Sequence, residues 1–157
     1  MKLYHGSSVI VAQPDVQHSR LRVDFGAGFY TTPLHEQARD WCGKFLREGK
    51  AAYISCYTLD EAAFQQCKVL SFDTYSEAWL DFVVQCRAGA CPTDADIVMG
   101  GVANDKVFDT VELFLDQLID KKEALRRLRF EKPNAQLCIR TQSVIARFLR
   151  FEGIEAL

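Results

Sequence analysis

The period of apolar positions changes repeatedly along the chain, and each change predicts an element. Residues 2–5 give a short strand. After an irregular stretch through Pro14 and a polar, basic loop over residues 18–23, residues 26–31 give a second strand entered through glycines. Thr32 followed by Pro33 predicts a helix start, and Leu34, Ala38, Trp41, Cys42 and Phe45 recur at helical spacing until Glu48-Gly49 stops it. Residues 52–59 alternate as a strand, and 67–72 read as another. A helix capped by Asp73 or Thr74 then runs through Ala78, Trp79, Phe82, Val83 and Cys86 and closes at Gly89. Residues 96–103 form an apolar strand containing Gly100-Gly101. A helical region opens at Asp109-Thr110 and extends to about Arg129 as two helices broken near Asp120, with Pro133-Asn134 as the stop. Residues 136–141 give a strand, Thr141 caps a helix over 142–151, and 154–157 make a final edge strand.

This order mixes strands and helices irregularly rather than as βαβ units, which predicts an α+β fold with split mixed and antiparallel sheets flanked by helices. At 157 residues the chain most simply makes one domain, 1–157, able to bury roughly two-thirds of its unfolded surface. A content of 48% hydrophobic and 25% charged residues places it among ordered globular chains.

The formal net charge of -2 provides no global field for nucleic acid. The basic run of residues 121–129 carries leucines at helical spacing and reads as a solvated helix face. Cys42, Cys56, Cys67, Cys86, Cys91 and Cys138 form no CxxC pair and read as reduced core thiols. Cys86 and Cys91 lack a second pair to complete a zinc site, so no metal is expected. Nothing before Tyr4 resembles a signal peptide and no apolar run has bilayer-spanning length, so a cytoplasmic protein without membrane contact is expected.

Two places invite chemistry. Tyr30 ends a strand and Trp41 lies about two turns into the following helix, so both rings can line one slot for a flat ligand such as nicotinamide. Taken alone, Trp41 reads more simply as a core residue on the apolar helix face. His5 beside Gly6 places a side-chain donor next to a backbone open to close approach, suited to a ribose hydroxyl and an amide.

The segments Tyr4-His5-Gly6-Ser7, Phe25-Gly26-Ala27-Gly28-Phe29-Tyr30-Thr31 and Asn134-Ala135-Gln136-Leu137-Cys138-Ile139 resemble the three signature strands of the diphtheria-toxin-like and poly(ADP-ribose) polymerase-like ADP-ribosyltransferases. The chain is most similar to a bacterial family of small stand-alone domains in that superfamily. The resemblance implies NAD as co-substrate, with His5 on the adenosine-side ribose, Gly6 pairing its backbone with the nicotinamide carboxamide, and Tyr30 and Trp41 sandwiching the nicotinamide ring. It places Ala38 where a serine often bonds the carboxamide, and Gln136 where the family usually has glutamate. Gln136 keeps the hydrogen bond to the nicotinamide ribose and lacks the negative charge beside a developing oxocarbenium ion, a loss worth on the order of 10²-fold to 10³-fold in rate.

The resemblance thus implies a mono-ADP-ribosyltransferase, a glycosyltransferase that releases nicotinamide and passes ADP-ribose to an unknown acceptor. The assigned catalytic residues are Gln136, Tyr30 and His5. An NAD glycohydrolase, or a silent NAD-binding or interaction module, stays open beside it. The analogy is to toxins and effectors, whose partners include a neutralising protein. Asp24 and Arg140 read as pocket-rim residues, and the segment from Asp96 through Asn104, Asp105 and Lys106 as an acceptor-side wall or a turn.

Overall fold

Strand side chains alternate between two faces, and here the central strands are buried on both. In a computed structural model, residues 1–101, 105–129, 131 and 134–157 are described. The elements are β1 (Lys2–Ser7), β2 (Phe29–Thr31), α1 (His35–Arg47), β3 (Tyr53–Leu59), α2 (Ala63–Gln66), β4 (Val69–Ser71), α3 (Glu77–Arg87), β5 (Ile97–Gly100), α4 (Asp105–Leu115), α5 (Lys121–Leu128), β6 (Gln136–Ile139), α6 (Gln142–Phe148) and β7 (Leu149–Ala156). They form an antiparallel sheet of order β1-β3-β7 and a mixed sheet of order β2-β6-β5-β4, in which β4 and β5 are parallel. The fold is α+β, as the sequence predicts.

Leu3, Phe29, Tyr57, Leu59, Ile97, Leu137 and Ile139 pack together from the two sheets, and Val144, Ile145 and Phe148 of α6 close that core. Outside the first sheet, Ala38 and Cys42 of α1 cover Ile54. Outside the second, Trp79, Leu80 and Val83 of α3, Val107 and Val111 of α4, and Ala124 and Leu128 of α5 pack with Val98 and Cys138. In the central strands β3, β5 and β6 consecutive residues are buried, so apolar side chains serve both layers, whereas β4 and β7 have no fully buried residue.

Several boundaries move for local reasons. α1 begins at His35 rather than at Pro33, because Thr32 is still paired with Tyr4 and its hydroxyl accepts from Leu34 N at 3.1 Å. α3 is capped by Ser76, which accepts from Trp79 N at 3.2 Å, not by Asp73 or Thr74. α4 starts at Asp105, and Thr110 lies inside it, donating to Lys106 O at 2.9 Å. The break at Asp120 is as expected: its carboxylate accepts from Glu123 N at 2.7 Å and starts α5. β7 begins at Leu149, five residues earlier than predicted, because Leu149 already pairs with Leu59. Residues 102–104 and Pro133, part of the predicted strand, acceptor-side wall and helix stop, lie outside the described residues.

The cations of α5 are locally matched: Arg126 and Arg127 bond Glu123, and Lys121 bonds Glu77 and Asp81. One expectation is corrected. Cys86 and Cys91 are joined in a disulfide, brought together by the turn that ends α3, so four thiols rather than six are free. Among the described residues no helix is long and apolar enough to cross a membrane.

Candidate functional site

The two sheets meet at one bridge. Tyr4 N donates to Thr32 O at 2.8 Å and Thr32 N to Tyr4 O at 2.9 Å. Backbone groups along an antiparallel strand face one neighbour and then the other. With Tyr4 committed to β2, the ladder to β3 runs through Leu3, His5 and Ser7, and Gly6 turns its amide and carbonyl to the same side as Tyr4. Among the described residues the β1–β2 bridge stops at Tyr4–Thr32, so these two groups of Gly6 face the opening where the strands part. A neighbouring donor and acceptor of this kind complement a primary carboxamide.

α1 fixes this edge from behind. A Cβ on Gly6 would stand 2.6 Å from Ala38 O and 2.9 Å from Cys42 Sγ, so only glycine lets the helix lie this close. The close approach inferred for Gly6 is therefore made first by α1 itself. The same Cβ position is 3.4 Å from Trp41 Cδ1, which sets the indole beside the Gly6 edge. Trp41 is 51% exposed, so the simpler reading of it as a core residue is overturned. Lys44 Nζ lies 3.2 Å from the centroid of its ring. Burial and the charge of Arg20 lower the Lys44 pKa. Sequence reasoning passed over Lys44, although its three-residue offset from Trp41 is the signal for such a contact.

Tyr30 is anchored by its own loop. Its hydroxyl accepts from Phe25 N at 3.2 Å and donates to Gly26 O at 2.5 Å, and burial raises its pKa far above the ordinary phenol value. Gly26 holds φ at 71°, and a Cβ there would meet Cys91 Sγ at 2.9 Å. Asp24 and Arg140, expected at the rim, brace this turn. Arg87 bonds Asp24 at 2.7 Å and Glu112 at 2.7 Å, and Arg140 donates to Phe25 O at 2.6 Å. Arg87 and Glu112, absent from the sequence reading, are long-range partners that no local spacing reveals. Among the described residues Tyr30 and Trp41 make no ring contact with each other.

His5 reaches across the same opening. Its Nδ1 donates to Tyr30 O at 2.7 Å, and its ring lies 4.9 Å from that of Phe29. Burial lowers its pKa, with the bond to Tyr30 O opposing. The imidazole is thus neutral at pH 7, with Nε2 as its acceptor for a hydroxyl donor.

Gln136 starts β6 opposite Gly100, one step from the Thr31–Leu137 pair and so beside Thr32. Residues paired across antiparallel strands share a face, which puts Tyr30 and Gln136 on one side of the second sheet, continuous with Gly6 through the Tyr4–Thr32 bridge. Two inter-strand spacings separate β1 from β6, about 10 Å. Gln136 Oε1 is buried and has no hydrogen-bond partner, an unusual state for an amide oxygen. Gln136 is also among the residues that line a cavity of about 250 Å³, with Met1, Pro33, Ser71, Phe72, Asp73 and Asn134. The structure therefore gathers Gly6, Trp41, Tyr30 and His5 around the β1–β2 opening and sets Gln136 on the adjoining cavity.

A family model described as a protein of unknown function (DUF3990) matches residues 1–151. Neither a curated protein nor a solved structure matches the chain.

Proposed function

The chain belongs to the DUF3990 family of proteins of unknown function, and we propose that it is an NAD-dependent mono-ADP-ribosyltransferase. One observation carries the reading: Gly6 presents an outward amide and carbonyl beside the indole of Trp41, which suits a flat ring bearing a carboxamide. In this reading the Gly6 amide donates to the carboxamide oxygen and its carbonyl accepts from the carboxamide nitrogen. Trp41 covers one face of the ring, with Lys44 displaced from it. Tyr30, locked by the 25–26 turn, walls the opposite side of the opening. His5 Nε2 accepts from a ribose hydroxyl.

Gln136 Oε1 takes the hydrogen bond of the nicotinamide-ribose hydroxyl, which supplies the partner it lacks. The bond from the ribose C1′ to the nicotinamide nitrogen then breaks with its electron pair on the leaving ring, which departs neutral. The acceptor's nucleophile forms the new bond at C1′. The negative charge that a glutamate would place near the oxocarbenium ion is missing, which favours slow single transfer over chain growth.

NAD is an intracellular metabolite, so the reaction belongs to a cytoplasm, the producing cell's or a recipient's. A toxin-like protein of this type requires a neutralising partner where it is made. Incubation with labelled NAD and candidate acceptors tests the reading. Transfer, or release of free ADP-ribose if water is the acceptor, is expected to disappear in Tyr30→Ala and Gln136→Ala. Unchanged activity in both variants refutes it, and tight NAD binding without nicotinamide release reduces it to a silent binding module.

A further inference from the structure

Asp73, an acidic residue that the reading above leaves without a task, lines the cavity beside Gln136. Among the cavity's described lining residues Asp73 has the one ionisable side chain, Met1 carries the N-terminal ammonium, and Ser71, Asn134 and Gln136 are polar. The register explains the placement. Phe72 N bonds Met99 O at 2.9 Å, extending the β4–β5 pairing by one residue, and Gly100 pairs with Gln136 on the other side. A Cβ on Gly100 would stand 3.3 Å from Phe72 Cβ, so the bare glycine lets the 72–73 backbone run closely alongside β5. Phe72 and Gln136 thus flank one strand, about 10 Å apart by backbone spacing, and Asp73, exposed one residue beyond Phe72, lines the same cavity as Gln136. A volume of 250 Å³ accommodates several waters or the end of one side chain.

We propose that Asp73 is the general base of the reaction and that the cavity is the site of an acceptor bearing a neutral hydroxyl, water being the smallest. This rests on the transferase reading of the same site. The hydroxyl oxygen attacks C1′ as the bond to nicotinamide breaks, the electron pair leaves with the nicotinamide nitrogen, and the hydroxyl proton passes to the Asp73 carboxylate and from there to water. Asp73 also places beside the cavity the negative charge that Gln136 lacks. A carboxylate acceptor, already anionic, has no proton for it to take.

The test follows nicotinamide release at saturating NAD in water, and formation of methyl ADP-ribose when methanol is added as a small hydroxyl probe. Both are measured for the wild type, Asp73→Asn, Asp73→Glu and the double variant Asp73→Asn/Gln136→Glu. NAD affinity is read separately by calorimetry. Asp73→Asn is expected to lower both rates on the order of 10²-fold or more while leaving the NAD Kd nearly unchanged. Asp73→Glu should retain much of the rate, and the double variant should regain part of it. Equal rates in Asp73→Asn and wild type, with NAD bound and turned over, overturn the role of Asp73 alone. A wild-type protein that binds no NAD or releases no nicotinamide overturns the transferase reading, and this proposal falls with it.

Discussion

Replacing Gln136 by methionine should make the protein more stable and abolish its chemistry. The amide oxygen is buried without a partner, a state that costs about 1–3 kcal/mol relative to a satisfied or absent polar group. Methionine has similar length and volume, is unbranched, and adapts its rotamers, so its packing penalty stays below about 1.5 kcal/mol. The balance favours the variant by about 1 kcal/mol, which raises Tm by roughly 2–4 °C in a chain of this size. Thermal scans and urea titrations at pH 7 read the stability, and nicotinamide release from NAD reads the activity. A functional acceptor held unsatisfied predicts opposite movements, with Tm up and release down to the uncatalysed background. A variant less stable than wild type by more than about 1 kcal/mol would show that Oε1 has a partner in solution, and the orphan argument would be wrong.

Arg87→Met removes the guanidinium bonded to the buried Asp24 carboxylate and should lower unfolding free energy by about 3 kcal/mol, measured in urea; a loss under about 1 kcal/mol would contradict the buried bridge. Trp41→Ala should weaken nicotinamide binding roughly two- to tenfold with little change in Tm, since the ring is half exposed, and unaltered affinity would remove Trp41 from the site. His5 and His35 should titrate on opposite sides of 6.5 in an NMR pH series. Burial depresses His5, so its stabilising contribution is complete above 6.5 and is lost as pH falls from there through its folded-state value; Glu155, 2.7 Å from His35, raises the other, whose contribution is complete below 6.5 and is lost as pH rises through its folded-state value. A thiol titration of the denatured, unreduced protein should find four groups and rise to six after reduction, whereas six at the outset would exclude the Cys86–Cys91 bridge.

What the sequence revealed follows a physical division. Most elements were legible because their apolar periods and caps are local: Asp120 starts α5, and residues 53–59 alternate as β3. Errors arose where a residue's role depends on a distant strand. Thr32 looks like a helix cap, yet its backbone belongs to Tyr4; Leu149 looks helical, yet pairs with Leu59. Helical periodicity assigned Trp41 to the core because period alone does not tell which part of an amphipathic helix overhangs its sheet. Asp24, Arg87 and Glu112 show the same limit, since the partners are 63 and 25 positions apart along the chain. Asp73 was legible only as a candidate cap, because its place on the cavity that Gln136 also lines depends on β4, β5 and β6 lying side by side.

The two halves of the site are built with opposite degrees of constraint, and that contrast bears on the chemistry. Around the β1–β2 opening most groups are held, the half-exposed Trp41 aside: the Tyr30 hydroxyl by Phe25 and Gly26, His5 by Tyr30 O, the 24–26 turn by Arg87 and Arg140, and Gly6 by the helix against it. Such preorganisation reduces the ordering that a ligand must impose on binding. The strand-end cavity is left unsatisfied instead, with the Gln136 oxygen lacking a donor. Unsatisfied polar atoms destabilise a fold and persist where a ligand completes them. In a transferase this asymmetry assigns the held half to recognising nicotinamide and the unsatisfied half to the ribose and the incoming acceptor, where bonds must change. Binding should therefore survive substitutions at Gln136 and Asp73 that stop turnover, while substitutions at Gly6 or Trp41 should act first on affinity.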